Sequence, residues 1–289
     1  MAANAPAKLG YRTTALEALR GADLRGKVAV VTGEHRKRPW RVAGRGAATG
    51  GNSGIGLETC RALAHAGADV ILCSRSVEAG ERAAAELQGL EQGKLTVKQL
   101  DLSDLMGTNH FGHFYLTQLL LPKMNVQGTP GRIIAVASIA HAMVKGLPLE
   151  DLNCQTRTYY PWLSYAHSKL ANVLFVTELA RQLEKEGSAV KAFSVHPGVI
   201  NTNLHRHKRV SSFCGMLFGP LMKTVPQGAA TTIYAATAPE LEQDSGAYLA
   251  LCKVGRASKA GRDSELAKAF WRKSEELLEA ALARAGLSS

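Results

Sequence analysis

The sequence has no long apolar run, and no segment approaches the roughly 20 consecutive apolar residues that a membrane-spanning helix needs. Its first residues lack the basic head and apolar stretch of a secretory signal. It holds only five cysteines, and none has the CxxC spacing typical of zinc or redox sites. These absences predict reduced thiols and a cytoplasmic protein, with organellar import left open.

Acidic residues are scarce relative to basic ones, 24 against 35, which gives a formal net charge of +11. Two basic runs, at 34–46 and 205–209, contribute to this excess. Neither run has the interleaved aromatic residues of a platform for single-stranded nucleic acid. We therefore interpret both as solvated loops and predict no nucleic-acid partner. Their charge would still attract a phosphorylated cofactor.

Short apolar runs alternate with longer segments of helical periodicity. The runs predict strands at 28–31, 70–73, 95–100, 132–137 and 190–195, the first of them buried. Helices are predicted at 54–66, 77–87, 109–123, 165–185, 227–238 and 264–285, the last capped by Ser264. This order predicts an α/β fold with a doubly wound parallel sheet. We expect a single domain over residues 1–289, with residues 1–25 as an N-terminal extension.

A glycine-rich segment, TGGNSGIG at 49–56, precedes the first long helix. Glycines allow a sharp turn and a close approach to a pyrophosphate, and the helix N-terminus offers N–H groups and a positive dipole end. The segment therefore predicts a dinucleotide site. The residues expected to form it are Gly50, Ser53, Gly54, Ile55 and Gly56.

The second strand ends at Ser74 and Arg75 instead of at a carboxylate. A carboxylate at this position binds the ribose 2′-hydroxyl of NAD, whereas a guanidinium suits the 2′-phosphate of NADP. Arg75 therefore favours NADP(H) over NAD(H). The alternative is an ordinary surface arginine.

Tyr165 and Lys169 are four residues apart, so a helix would place them on one face. A phenol is too weak an acid to exchange protons freely near neutrality. A neighbouring ammonium favours the phenolate form, which makes the pair a candidate general acid and base. Because this spacing is common by chance, its interpretation depends on the surrounding motifs. Ser138 ends the strand before this helix, and Pro197 and Gly198 follow the strand after it.

In this order, the motifs resemble those of the short-chain dehydrogenases/reductases, and within them the branch similar to retinol dehydrogenases and WW-domain oxidoreductases. Further local matches are GTNHFGHF at 107–114, SKLAN at 168–172, HPGV at 196–199 and CKV at 252–254. The resemblance covers about residues 11–282. It implies a Rossmann-like fold and an oxidoreductase acting on a small apolar carbonyl or alcohol.

The resemblance also implies a role for each matching position. Tyr165 would exchange a proton with the substrate oxygen, and Lys169 would support it and bind the nicotinamide ribose. Ser138 would hydrogen-bond the substrate oxygen, and Asn109 would hold a water in the proton relay. The remaining cofactor contacts would come from Asp101 at the adenine and from Pro197, Gly198 and Thr202 at the nicotinamide.

An apolar segment at 213–222 lies within 205–225, where the family has its substrate-covering segment. It could line a lipophilic pocket, contact a membrane surface peripherally or belong to the core. We favour the pocket, because Met and Phe fill adaptable apolar sites. Two histidine pairs, 110 with 113 and 205 with 207, lack carboxylate or cysteine partners at a recognisable spacing. We therefore predict no metal, and the oligomeric state stays open.

The sequence departs from the family pattern at two places. Residues 34–50 separate the first strand from Gly51, and removing them would restore an uninterrupted strand and phosphate loop. We interpret them as an inserted loop. Between Leu105 and Met106 the family carries a further segment with an Asn-Asn-Ala-Gly-like motif, which is missing here. The sheet is therefore expected to be one central strand short.

These observations leave two functional hypotheses. The first is an NADP(H)-dependent oxidoreductase that transfers a hydride between nicotinamide and an apolar carbonyl or alcohol. The second is a catalytically impaired isoform or a mispredicted product that acts at most as a non-catalytic binding module. The intact Ser138, Tyr165 and Lys169 favour the first, and the missing segment favours the second.

Overall fold

A computed structural model of the chain describes residues 8–32, 51–89, 92–100, 110–125, 130–152, 154, 156, 158–200 and 222–284. Several expectations lie outside these ranges: the inserted loop 34–50, most of the segment 205–225, and the residues Gly50, Asp101, Asn109 and Thr202. The chain forms two compact units. The first comprises residues 1–101, 197–239 and 250–253, and the second comprises 102–196, 240–249 and 254–289.

The described residues form helices and strands in the alternating order expected from the sequence. The helices are α1 (Ala15–Leu19), α2 (Gly54–His65), α3 (Val77–Ala85), α4 (Gly112–Met124), α5 (Pro161–Lys185), α6 (Val225–Thr237) and α7 (Ser264–Arg284). The strands are β1 (Val28–Val31), β2 (Asp69–Ser74), β3 (Leu95–Gln99), β4 (Arg132–Val136), β5 (Lys191–His196), β6 (Tyr248–Ala250) and β7 (Lys253–Gly255). Each predicted helix and strand is therefore confirmed, with small shifts at the ends.

The first unit contains a parallel sheet in the order β1-β2-β3. Val30 of β1 is paired with Ile71 of β2, which is paired with Thr96 of β3. Helices α2 and α3 make the crossovers that parallel strands require. The central strand β2 is the most deeply buried, with Val70 and Leu72 at 1% and 0% exposure.

The N-terminal extension is partly an ordered element of this first unit. Helix α1 begins with a capping box, in which the Thr14 hydroxyl accepts from the Glu17 N–H and the Glu17 carboxylate accepts from the Thr14 N–H. Ala15 and Ala18 are buried, and α1 packs against α6. The extension therefore contributes apolar surface to the core of the unit.

The second sheet has the order β4-β5-β6-β7, and its strands β4 and β5, which lie in the second unit, are parallel. Helix α5 is the crossover between these two strands, and it is buried along most of its length. The last helix, α7, packs against α5. Phe270 and Trp271 of α7 are buried in the core of this unit. The prediction that Ser264 caps α7 is wrong, because the Asp263 carboxylate accepts from the N–H groups of Glu265 and Leu266.

Parallel strands flanked by helices confirm the doubly wound, Rossmann-like fold. The described strands form two sheets, and β1 is an edge of the first. Val28 and Val30 of β1 are 67% and 39% exposed, so the prediction that this strand is buried is wrong. An exposed apolar edge strand is unusual, since such edges are normally paired or covered. Among the described strands, β1 pairs with β2 alone, which leaves its other edge unpaired.

No helix in the described ranges is both long enough and apolar enough to cross a membrane.

Candidate active site

The glycine-rich segment leads directly into helix α2. Ser53 occupies the N-cap with an extended backbone, and its side chain makes no capping hydrogen bond to the first turn. Helix α2 then starts at Gly54, whose φ is +54°, and its first turn contains no acidic residue. A helix start without a side-chain cap presents backbone N–H groups and the positive dipole end, which together suit a phosphate.

Gly51 lies where the segment passes between the ends of β1 and β2. A Cβ at this position would lie 2.8 Å from the Cys73 carbonyl oxygen and 2.9 Å from the Val31 carbonyl oxygen. Only glycine fits between these two backbones. The cradle therefore fits a dinucleotide phosphate, because its walls are backbone and its floor cannot carry a side chain. Gly51 lies within the glycine-rich segment from which the sequence predicts the phosphate site.

Arg75 follows β2 directly and is exposed. Its carbonyl oxygen accepts a hydrogen bond of 3.0 Å from the Gln99 side chain, so its backbone is tied to the end of β3. The next residue, Ser76, caps α3 by accepting from the Ala79 N–H. The backbone of Arg75 is thus anchored at the end of β2, while its side chain is exposed.

The Pro-Gly turn packs against a buried lysine that sequence reasoning missed. Gly198 has a φ of +96°, and a Cβ there would lie 2.7 Å from Cδ of Lys223. Lys223 is 1% exposed, and its Nζ has no hydrogen-bond partner among the described residues. That Nζ lies 5.2 Å from the centroid of the Tyr11 ring, and burial lowers the pKa of Lys223. No local pattern distinguishes this lysine from a surface residue.

Helix α6 brings the Pro-Gly segment and the start of α2 together in the first unit. A Cβ on Gly228 of α6 would lie 2.5 Å from Cδ1 of Ile200 and 3.5 Å from Cγ1 of Ile55. The absence of a side chain at Gly228 therefore lets both segments approach one helix. The predicted cofactor residues Ser53–Gly56 and Pro197–Gly198 accordingly belong to a single unit.

Tyr165 and Lys169 lie together in the second unit, as the sequence predicts. Nζ of Lys169 lies 5.5 Å from the centroid of the Tyr165 ring. It donates a 3.0 Å hydrogen bond to the carbonyl oxygen of Val136, which also accepts from the Asn172 amide at 3.0 Å. Val136 ends β4, two residues before Ser138. Lys169 therefore ties the helix that carries Tyr165 to the strand that carries Ser138.

Ser138 is held in a turn immediately after β4. Its backbone is extended, with φ −159° and ψ 159°, and it caps a short 3₁₀ helix at Ile139–Met143. Its Oγ accepts a 3.2 Å hydrogen bond from the Ala140 N–H, so the hydroxyl proton can be donated elsewhere. Tyr165 packs against the apolar cluster that contains Ala140. The second unit thus holds Ser138, Tyr165 and Lys169, a hydroxyl, a phenol and an amine.

His110 belongs to the apolar core between helices. It is 1% exposed, its Nε2 is 2.9 Å from the Ser274 hydroxyl, and its ring lies 4.5 Å from that of Phe270. Burial lowers the pKa of His110 to about 3. The ring is therefore neutral at physiological pH and packs as a core residue.

Lys169 predicts a pH dependence of stability. Burial lowers its pKa from 10.5 to about 7. Between these values the unfolded chain binds the proton more tightly than the folded chain does, so stability rises with pH. The free energy of unfolding of the wild type should therefore increase relative to that of Lys169→Met as the pH rises from about 6 to about 9. Urea unfolding of both proteins measures this difference, and a difference independent of pH would contradict the assignment.

Comparisons with known proteins agree with this geometry. The family model described as short chain dehydrogenase matches residues 47–107. Retinol dehydrogenase 12 from Homo sapiens is 37% identical over 272 residues, covering 80% of this chain and 84% of that protein. The alignment has 272 positions, but only 80% of the 289 residues of this chain are aligned in it, which is fewer than 272. The relative therefore has residues that have no counterpart in this chain.

A second relative and a solved structure extend the similarity. The WW domain-containing oxidoreductase of Pongo abelii is 33% identical over 316 residues, covering 92% of this chain and 72% of that protein. The crystal structure of an uncharacterized protein from Mycobacterium paratuberculosis has a TM-score of 0.67 at 30% identity. It covers 89% of this chain and 95% of the other. Its fold is therefore shared over most of both chains.

The resemblance inferred from the motifs is confirmed by these matches. The family is one of oxidoreductases that use a nicotinamide cofactor and act on small molecules. With 37% identity to a retinol dehydrogenase of which 84% is covered, the chain belongs to the short-chain dehydrogenase/reductase family.

Proposed function

We propose that this chain is an NADP(H)-dependent oxidoreductase that interconverts an apolar carbonyl compound and its alcohol. The observation that carries the proposal is the position of Lys169. Its amine lies 5.5 Å from the centroid of the Tyr165 ring and is bound to the carbonyl oxygen of Val136, at the end of the strand that leads to Ser138. A phenol, a buried amine and a hydroxyl on adjoining elements provide the means to move a proton to or from a substrate oxygen.

Different residues of the chain would bind different parts of the cofactor. The backbone around Gly51–Gly56 would hold the pyrophosphate, and Arg75 would hold the 2′-phosphate. Pro197, Gly198 and Thr202 would contact the nicotinamide end, and Asp101 would contact the adenine. When bound, the cofactor supplies the hydride.

The proton is handled by side chains of the second unit. In reduction, Tyr165 donates its proton to the substrate oxygen, and in oxidation the phenolate takes it back. The Lys169 ammonium stabilises the phenolate that remains after donation, and Ser138 donates a hydrogen bond to the substrate oxygen. Asn109 would hold a water that returns the proton from solvent.

An apolar substrate is supported by two independent observations. The segment 213–222 is rich in Phe, Met and Leu, which suits an adaptable apolar lining. The human relative is named for retinol, an apolar alcohol.

A cytoplasmic location is supported by Cys60, Cys73, Cys154 and Cys252, which are free thiols in the structure.

The choice of NADP(H) rests on Arg75 and is tested by replacing it. Hydrogen bonds to charged groups contribute about 1.5–3 kcal/mol, so Arg75→Asp should weaken NADPH binding by roughly 10- to 100-fold. Its carboxylate should at the same time accept the ribose hydroxyl of NADH. We expect NADPH to raise the Tm of the wild type more than NADH does, and the variant to show the reverse order.

A matched control separates local binding from net charge. Arg82 lies on the exposed surface of α3, so Arg82→Asp makes the same charge change about two helical turns away from Arg75. This variant should keep the wild-type preference. An unchanged preference in Arg75→Asp would contradict the role of Arg75. If neither dinucleotide shifts the Tm of the wild type, the non-catalytic alternative is favoured over the enzyme.

A further inference from the structure

The turn that carries Ser138 is held by a buried histidine, His141, three residues further along the chain. His141 is 1% exposed. Its Nδ1 lies 2.7 Å from the carbonyl oxygen of Ser138, and its own backbone N–H donates to the same oxygen at 3.1 Å. The peptide group that follows Ser138 is therefore fixed by two hydrogen bonds from one residue.

The other ring nitrogen of His141 is fixed from a distant part of the chain. The backbone N–H of Ser258 donates a 3.0 Å hydrogen bond to Nε2 across 117 residues of sequence. Ser258 is itself held in place, since its hydroxyl accepts from the Gly261 N–H and its carbonyl oxygen accepts from the Arg262 N–H. The ring also lies 4.9 Å from that of Tyr248.

These two partners determine the tautomer of the ring. A carbonyl oxygen can only accept, so Nδ1 must carry the proton, and a backbone N–H can only donate, so Nε2 must be bare. A second proton on Nε2 would break the bond to Ser258. Burial lowers the pKa of His141, which favours the same neutral form.

We infer that His141 is a positioning residue, which orients the Ser138 hydroxyl through the Nδ1–H bond to the Ser138 carbonyl oxygen and is itself aligned by Ser258. The inference rests on the proposed function, because it assigns Ser138 a task at the substrate oxygen. The Ser138 Oγ shares the turn that this bond fixes, since it accepts from the Ala140 N–H one residue before His141. Loss of the ring's hydrogen bond would leave the peptide held by the backbone N–H of residue 141 alone, at 3.1 Å, and would let the peptide tilt together with the hydroxyl. Misplacement of a reacting group by about 1 Å can cost roughly 100-fold in rate.

Two variants separate the two hydrogen bonds of the ring. In His141→Asn the side-chain amide nitrogen takes the place of Nδ1 and can still donate to the Ser138 carbonyl. In His141→Gln the amide oxygen takes the place of Nε2 and can still accept from Ser258. Each variant keeps one hydrogen-bond partner of the ring and loses the other.

The assay measures NADPH oxidation with decanal as the apolar aldehyde. We expect His141→Gln to lower kcat by roughly 10- to 100-fold with little change in the KM for NADPH. His141→Asn should keep most of the wild-type kcat. If the two variants lose the same amount in Tm and have the same kcat, His141 has a structural role only. That result would overturn the inference.

A double-mutant cycle with Ser138→Ala provides the second test. If His141 acts through Ser138, His141→Gln should have little further effect on kcat once the hydroxyl is gone. Additive losses would contradict the inference, even where both variants are less stable than the wild type.

A readout without turnover distinguishes failure of this inference from failure of the proposed function. The ¹⁵N NMR signals of the His141 ring are those that the wild type shows and His141→Gln lacks. These signals should indicate that Nδ1 carries a proton and that Nε2 does not. The opposite tautomer or an imidazolium would overturn the inference, whatever the activity. The expected tautomer in a chain that does not oxidise NADPH would instead count against the proposed function and leave the arrangement around Ser138 supported.

Discussion

The Tyr165→Phe variant is expected to lose turnover by roughly 10²- to 10⁴-fold, the range that general acid–base catalysis contributes. Phenylalanine keeps the ring that packs against the apolar cluster and removes only the hydroxyl that would move the proton. Cofactor affinity should therefore stay near the wild-type value. Steady-state kinetics with NADPH, together with NADPH titration followed by Tm, measure the two quantities separately.

Tyr160 offers a matched control for this variant. It stands immediately before α5, is 52% exposed, and makes no side-chain capping hydrogen bond to that helix. Tyr160→Phe makes the same chemical change outside the candidate site and should keep turnover within about twofold, since surface substitutions rarely exceed ±0.5 kcal/mol. Wild-type turnover in Tyr165→Phe would remove Tyr165 from the proton step.

The second large effect is expected at Gly51. A Cβ there would overlap two backbone carbonyl oxygens, at 2.8 and 2.9 Å, and neither can move without displacing a strand end. Overpacking of this kind costs about 1–3 kcal/mol. Gly51→Ala should therefore lower the Tm by several degrees and weaken NADPH binding roughly tenfold or more. Thermal unfolding with and without NADPH gives both values.

Gly146→Ala is the corresponding control, because a Cβ at Gly146 meets nothing within 4 Å and its φ is not positive. It should keep the wild-type Tm or raise it slightly, since alanine reduces the entropy of the unfolded chain. If Gly51→Ala behaved in the same way, the cradle between β1 and β2 would not be as tight as described.

Local patterns predicted most of the fold because they encode burial directly. Apolar runs such as the one in β2 and the helical periodicity of α5 follow from the faces that these elements bury. The short elements α1, β6 and β7 were missed. Strands of three residues are too short to show a period, and the hairpin between β6 and β7 places Leu251 and Cys252 at positive φ, where Asn or Gly is the usual signal.

The candidate site was predictable where its chemistry is local in sequence. Tyr165 and Lys169 share a helix face, and the phosphate cradle is a single glycine-rich segment. His141 and Lys223 were not predictable, because their partners come from distant segments: Ser258 lies 117 residues from His141, and Tyr11 lies beneath Lys223. The exposure of β1 was also missed, since burial of a strand depends on neighbours that the strand itself does not encode.

The most direct test of the central claim follows the hydride itself. Purified wild-type chain is incubated with decanal and NADPH carrying deuterium at the transferable C4 position, and the product is examined by mass spectrometry. We predict decanol with one deuterium on the carbinol carbon, formed by the wild type and strongly diminished in Tyr165→Phe. Equal deuterated product from both proteins, or none from a wild type whose Tm NADPH raises, would contradict proton transfer by Tyr165 in a working oxidoreductase.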